Sequence, residues 1–197
     1  MHDSLPSVSA FILAGGKSTR MGSDKAFVML NGRTLLDRAL ELAHFVTPDV
    51  AIVGDPAKFS PYAPVVEDVF RGCGPLAGIH AALRTSQTDL NLILAVDVPF
   101  VPPALLQYLI MRAEKISAPR ATIPRIDGRW QPLCAVYRRQ FGDDAEQALR
   151  AGCYKIDALF AAPQTQTIEE EELKAFGFFS KMFRNLNTPD ELEAVQS

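Results

Sequence analysis

Three apolar runs dominate the first half of this 197-residue chain: VSAFIL at 8–13, VAIVG at 50–54 and LNLILAV at 90–96. They lack the apolar–polar alternation of a strand with one wet face, so each reads as a strand covered on both sides. Stretches of helical spacing separate them. TLLDRALELAHF (34–45) has apolar residues at 35, 36, 39, 40, 42 and 43. PLAGIHAALRT (75–85) begins with a proline suited to a first helical turn, and ALLQYLIMRAEK (104–115) follows Pro102-Pro103. PVVE (64–67) adds a short strand. Strand alternating with helix predicts an α/β fold: a mostly parallel sheet with helices on both faces.

The second half is less regular. ATIPRI (121–126) and LCAVY (133–137) should pair around a turn at Asp127-Gly128, and RQFGDDAEQALRAG (139–152) should be helical. The acidic run at 169–172 reads as a solvated face. Near the end, Thr188, Pro189 and Glu191 fit a helix start, with a capping hydroxyl, a first-turn proline and a capping-box acid. No repeat or long linker divides the chain, so 1–197 is expected to be a single domain, with 1–7 flexible.

Composition excludes several classes. About half the residues are apolar, and the net charge is −3, which argues against nucleic-acid binding by overall field. Cys73, Cys134 and Cys153 are widely spaced and form no C-x-x-C, so neither zinc ligation nor a disulfide framework is expected. The opening MHDSLPSVSA lacks the basic and apolar regions of a signal peptide, and no apolar run reaches the roughly 20 residues of a membrane span. A cytoplasmic location, with no membrane partner, is the expectation.

The first strand empties into LAGGKSTRMGSDK (13–25). Its Gly-Lys-Ser is not a P-loop: that motif needs a glycine at position 11, which is Phe11. No register of Gly15, Gly16 and Gly22 fits G-x-G-x-x-G either. What remains is a glycine turn followed by Lys17, Arg20 and Lys25, a cationic loop suited to a triphosphate. Taken as a loop charge, Lys25 should be replaceable at about 0.5 kcal/mol or less in stability.

Asp97 ends the strongest strand, at the edge where open α/β sheets bind ligands. A carboxylate there can hold Mg²⁺ together with phosphate oxygens and water. Three prolines (Pro99, Pro102 and Pro103) push the next helix start beyond the reach of Asp97 as its cap. Asp68 follows another apolar run, and Gly78 lies early in a helix, where it serves either a close ligand approach or tight helix–strand packing. Asn185 and Asn187 either hold a loop together or touch a polar ligand. The histidines (His2, His44 and His80) are assigned no role, and no Ser-His-Asp or Cys-His arrangement exists. A phosphate monoester attacking an α-phosphate needs no base, so positioning and charge neutralisation would carry that chemistry.

These residues resemble a known family. Leu13 to Lys25 matches L-A-G-G-x-S-x-R-M-G-x-D-K, the signature of molybdenum cofactor guanylyltransferases. Gly74-Pro75-Leu76-Ala77-Gly78, Asp97-x-Pro99-Phe100 and Asn185-x-Asn187-Thr188-Pro189 agree in order and spacing. The resemblance implies a single Rossmann-like, three-layer nucleotidyltransferase domain of the nucleotide-diphospho-sugar transferase type. It implies transfer of GMP from Mg²⁺-bound GTP to molybdopterin carrying molybdenum, with release of pyrophosphate. Leu13, Ala14, Gly15, Gly16, Lys25, Asp68 and Asp97 match GTP-contacting positions, and Asp97 the Mg²⁺ ligand. Arg20, Lys25 and Asp97 are the implied catalytic set; Gly78, Asn185 and Asn187 are the implied pterin-side residues. Implied partners are the two substrates, other molybdenum cofactor biosynthesis proteins and recipient molybdoenzymes.

Two departures stand out. Val53-Gly54-Asp55 falls where the family often has an asparagine, and Ala95-Val96 where a Pro-Cys pair is common. Between 110 and 180 only Gln131-Pro132-Leu133 matches well. Two rivals are a molybdopterin cytidylyltransferase, whose branch usually reads L-A-A-G, and a sugar-phosphate nucleotidyltransferase, usually longer. A nucleotide-binding carrier that delivers the cofactor is the non-enzyme alternative.

Overall fold

A computed structural model describes residues 8–15, 24–161, 163–186 and 191 of the chain. In chain order the strands and helices are β1 (Val8–Leu13), β2 (Met29–Leu30), β3 (Arg33–Thr34), α1 (Leu35–His44), β4 (Val50–Val53), α2 (Pro56–Phe59), β5 (Val65–Val66), α3 (Pro75–Thr85) and β6 (Leu90–Ala95). Then come α4 (Pro103–Lys115), β7 (Ala121–Ile126), β8 (Arg129–Trp130), β9 (Cys134–Arg138), α5 (Phe141–Arg150), β10 (Thr165–Glu169) and α6 (Glu170–Ala175). Single 3₁₀ turns occupy Lys25–Phe27, Ile156–Leu159 and Ser180–Phe183.

The main sheet runs β10-β7-β9-β6-β1-β4-β5, with β8 paired to β7 beside this path. Every pairing from β6 through β5 is parallel, as is β10 with β7; β9 alone runs against both its neighbours. The expected mostly parallel sheet is therefore found. Helices cover both faces. Alternate residues of β1 show why: Val8, Ala10 and Ile12 join α1 and α4 in one apolar layer, while Phe11 and Leu13 join α3 and α5 in the other. All six residues of β1 are buried, as two-sided burial of an unalternating run requires.

Local chemistry sets the helix starts. Thr34 and Asp37 form a reciprocal capping box at α1: the Asp37 N–H donates to Thr34 Oγ1 (3.0 Å) and the Thr34 N–H to Asp37 Oδ2 (3.3 Å). α3 begins at Pro75 after Gly74, whose φ of +75° favours glycine.

Two expectations from the second half need correction. The partner of β7 across the Asp127-Gly128 turn is β8, not the LCAVY run. Both turn residues have positive φ, as a tight hairpin demands. Pro132, which has no N–H, separates β8 from β9, and β9 pairs instead with β6 and the far end of β7. The acidic run is not simply a solvated face. Glu169 ends β10; Glu170 opens α6 and accepts from the Asp127 N–H (3.0 Å) and Lys174 Nζ (2.7 Å); Glu172 accepts the Tyr108 hydroxyl proton and pairs with Arg112. Carboxylates in a first helical turn also suit the helix dipole. The expected capping residues Thr188 and Pro189 lie outside the described residues, as do residues 1–7; Glu191 is helical.

Candidate active site

Strand register brings three loops to one edge. Leu13 lies opposite Val53 on one side and Ala95 on the other, so β1, β4 and β6 end level. The segments that follow are the glycine turn, Gly54-Asp55 and Val96-Asp97. The backbone ties them together: the N–H groups of Ala14 and Gly15 both donate to the Val53 carbonyl (3.1 and 3.2 Å), and the Val96 N–H donates to the Leu13 carbonyl (3.2 Å).

Lys25 and Asp97 meet here. Lys25 Nζ lies 3.1 Å from Asp97 Oδ2 although 72 residues separate them in sequence, and both side chains are about four-fifths buried (21% and 17% exposed). Asp24 orients the lysine. Its Oδ1 accepts from the Ala26 N–H (3.2 Å), capping the 3₁₀ turn that begins at Lys25, and its Oδ2 receives Lys58 Nζ (2.9 Å). This bond holds the Lys58 ammonium above its ordinary pKa. Lys58 is a cation of the site that sequence reasoning missed; its only signal was a position shortly after the β4 loop, too weak without knowledge that α2 folds back over Asp24.

Asp97 is not a helix cap, because Pro102 occupies that position for α4. Its carbonyl accepts the Leu186 N–H (3.0 Å), so the segment bearing Asn185 is strapped across the Asp97 loop. Asn185 is exposed there, and Asn187 lies outside the described residues. Gly16 and Arg20 also lie outside them.

Asp68 follows β5. Its Oδ1 accepts the Phe70 N–H (2.8 Å), yet partial burial outweighs that bond and pushes its carboxyl above the ordinary aspartate pKa. The Phe70 ring meets the buried His80 edge-on at 5.1 Å, which joins the Asp68 loop to α3.

Neighbouring atoms crowd two glycines of the site, Gly78 and Gly54. A Cβ on Gly78 would sit 3.2 Å from Leu13 Cδ2 and 3.6 Å from Val53 Cγ1, so helix–strand packing leaves little room for a side chain here. A Cβ on Gly54 would sit 2.8 Å from the buried Phe59 ring. Gly15 is exposed, and its N–H donates to the Val53 carbonyl. Asp55 likewise caps α2 through the Ala57 N–H (2.9 Å).

Chemically, the edge offers two ammonium–carboxylate pairs, Lys25 with the mostly buried Asp97 and the more exposed Lys58 with Asp24. Among the described residues no three His, Cys, Asp or Glu side chains converge as a complete metal cage. A single hard carboxylate does fit a divalent cation that takes its remaining oxygens from phosphate and water. The arrangement suits holding a polyphosphate with its counter-cation.

The chain has clear relatives among known proteins. The chain is 34% identical over 196 residues to a molybdenum cofactor guanylyltransferase of Desulfosudis oleivorans, covering 98% of this chain and 96% of that one. A molybdenum cofactor guanylyltransferase of Syntrophotalea carbinolica is 34% identical over 188 residues, covering 94% and 89%. The crystal structure of molybdopterin-guanine dinucleotide biosynthesis protein A from Archaeoglobus fulgidus superposes with a TM-score of 0.81 at 33% identity, covering 95% and 96%. The fold is that of the nucleotide-diphospho-sugar transferases. With a model of the MobA-like NTP transferase domain matching residues 10–167, the chain belongs to the MobA-like nucleotidyltransferase family.

Proposed function

We propose that this chain transfers GMP from GTP to the terminal phosphate of molybdopterin carrying molybdenum, forming molybdopterin guanine dinucleotide. One observation carries the reading: the Lys25 ammonium lies 3.1 Å from the Asp97 carboxylate at the edge where β1 and β6 end. The guanylyltransferase names of relatives about one-third identical over nearly the whole chain support guanine as the base. The sheet and its two apolar layers draw on residues 8 to 186, which supports reading 1–197 as one nucleotidyltransferase domain.

The reaction exchanges one phosphoanhydride for another. An oxygen of the acceptor's terminal phosphate attacks the α-phosphorus of GTP, and the bond to the β-phosphate oxygen breaks. Pyrophosphate leaves with that electron pair. The attacking oxygen is already ionised near neutral pH, so no base is required. Lys25 turns from Asp97 to the triphosphate, with Gly16 and Arg20 expected alongside it. Asp97 would hold Mg²⁺, which would neutralise charge on the reacting phosphates. Asp68 and the Leu13–Gly15 segment are read as nucleotide contacts, and Asn185 and Asn187 as acceptor-side contacts.

No helix among the described residues is long and apolar enough to cross a membrane. A cytoplasmic site of action, exchanging cofactor with other biosynthesis proteins and recipient molybdoenzymes, fits the proposed reaction. The test is pyrophosphate release by the purified chain with GTP, Mg²⁺ and molybdenum-molybdopterin, run beside CTP. Release with GTP and the matching dinucleotide product is expected. Equal or greater turnover with CTP would overturn the assignment of guanine; turnover with neither nucleotide would overturn the enzymatic reading in favour of a carrier.

A further inference from the structure

The strand order gives the site two unlike flanks. Beyond β1 lie β4 and β5, which end at Gly54-Asp55 and Asp68, the side read here as holding the nucleotide. Beyond β6 lie β9 and β7 with its hairpin partner β8. Because β9 runs against both β6 and β7, β7 is parallel to β6 and its carboxyl end rises on the same edge as Asp97. The connection is direct: the Ala95 N–H donates to the Leu133 carbonyl (2.7 Å), two residues before Asp97. Trp130 precedes Leu133 by three residues, a backbone reach of at most about 11 Å.

Trp130 is the single tryptophan of the chain and is only partly buried. Its indole packs against the α3–α5 apolar layer through a run of aromatic contacts: Phe160 lies edge-on at 5.3 Å, Phe160 meets Phe141 at 6.2 Å, and Phe141 meets the buried Tyr137 at 4.9 Å. The Arg125 guanidinium sits 5.3 Å over the ring and is itself held by the Gly128 carbonyl (3.2 Å). An indole with a planar guanidinium over it, the latter paired with Glu169 (3.6 Å), is a surface on which a flat, electron-rich heterocycle stacks. GTP brings one such ring and the acceptor brings another. The flank beyond β6 lies on the opposite side of Asp97 from Asp68, so, on the guanylyl-transfer reading, this ring pair falls on the acceptor's half.

We infer that Trp130, with Arg125 stacked on it, is the platform for the fused ring of the pterin acceptor and a specificity-determining element of the site. The inference rests on the guanylyl-transfer reading for the identity of that ring. Stacking here positions the acceptor's phosphate and takes no part in the chemistry.

The unique tryptophan supplies its own probe. In the intact protein with GTP and Mg²⁺ present, Trp130 emission is followed while a 6-substituted pterin phosphate is added. Glycerol phosphate serves as the ring-free control, and free N-acetyltryptophanamide corrects for absorption by the pterin. Saturable quenching by the pterin, and none by glycerol phosphate or by GTP alone, is expected. Quenching by GTP alone would assign the platform to the guanine and overturn the inference. In steady-state assays, Trp130→Leu should raise the KM for molybdenum-molybdopterin at least tenfold and leave the KM for GTP within twofold; Trp130→Phe should recover most of the loss. An unchanged acceptor KM, or equal rises in both, would reduce Trp130 to a cap on the core. Should Trp130→Leu fold poorly, Trp130→Phe and the wild-type titration still decide. If the wild-type protein transfers no guanylyl group, the proposed function falls, while the pterin titration still reports on the ring.

Discussion

Replacing Lys25 by Met and Asp97 by Asn, singly and together, tests the centre of the site. The two charges are 3.1 Å apart and about four-fifths buried. At an effective dielectric constant near 20 their gross attraction is roughly 5 kcal/mol. Desolvation and the ordering of two side chains offset most of it. Exposed pairs couple by about 0.2–1 kcal/mol, and breaking a fully buried pair costs about 3–5. This pair stands between those limits, so its coupling without nucleotide should be about 1–2 kcal/mol. That exceeds the 0.5 kcal/mol or less that a solitary loop lysine suggests, and the contact with Asp97 is the reason. For a chain of this length the effect is a few degrees in Tm.

Nucleotide should abolish that coupling. On the proposed reading, bound GTP and Mg²⁺ would draw the ammonium to phosphate and the carboxylate to the cation, and the pair would separate. A double-mutant cycle on thermal stability should therefore show positive coupling in the free protein and little in the saturated wild-type-like pairings. Each single variant should lose about 10²- to 10³-fold in turnover, the size expected when one preorganised charge contact is removed. Circular dichroism melts and pyrophosphate release measure the two halves. Coupling near zero in the free protein, or turnover within threefold of wild type in either variant, would refute the reasoning.

Three further outcomes follow from contacts around the site. Gly54→Ala places a methyl 2.8 Å from the buried Phe59 ring and should destabilise the fold by about 1–3 kcal/mol, which Phe59→Leu should partly relieve; an unchanged melting temperature would contradict it. Gly78→Ala sets a gain of about 1 kcal/mol in helix propensity against a 3.2 Å approach to Leu13, so Tm should move little while the KM for GTP rises; a large Tm loss with normal KM would show that Leu13 cannot yield. For Asp68 the sign runs through burial. Its folded pKa lies above the ordinary 3.8, so the native state binds the extra proton, and stability falls as pH rises from 3.8 through that raised value. Asp68→Asn keeps an oxygen for the Phe70 N–H and should raise Tm at pH 7 relative to pH 3, while weakening GTP binding by calorimetry; equal Tm differences at both pH values would exclude the burial cost.

The sequence carried the first half of the fold well because its strands are covered on both faces and its helices announce their starts. VSAFIL and PLAGIHAALRT match β1 and α3 at both ends for that reason. Less was readable where pairing is set at a distance. Asn31-Gly32 is a tight-turn signal that escaped notice because the strands it joins are two residues each. The β8 strand, also two residues long, exists only because β7 is there to pair with it, and β10 shows mixed polarity because it is an edge strand. The acidic run hid the Tyr108–Glu172–Arg112 contact, since no local pattern reveals a partner 64 residues away.

The site divides along the same line. Asp97 and Lys25 could be nominated from a strand end and a glycine turn, but their meeting depends on β1 and β6 being neighbours, which no window of sequence contains. Gly78 shows the converse: a glycine read as serving either a ligand or packing lies over the Leu13 side chain, where an added Cβ would come within 3.2 Å. That contact still ties α3 to the strand whose next residues open the nucleotide loop. A change at position 78 therefore reaches the site through Leu13, by displacing the base of the glycine turn rather than by removing a contact to substrate. The two routes differ in what restores function: shortening Leu13 to Val or Ala should rescue Gly78→Ala if packing is the link, and should do nothing if the glycine's role is to admit the ligand.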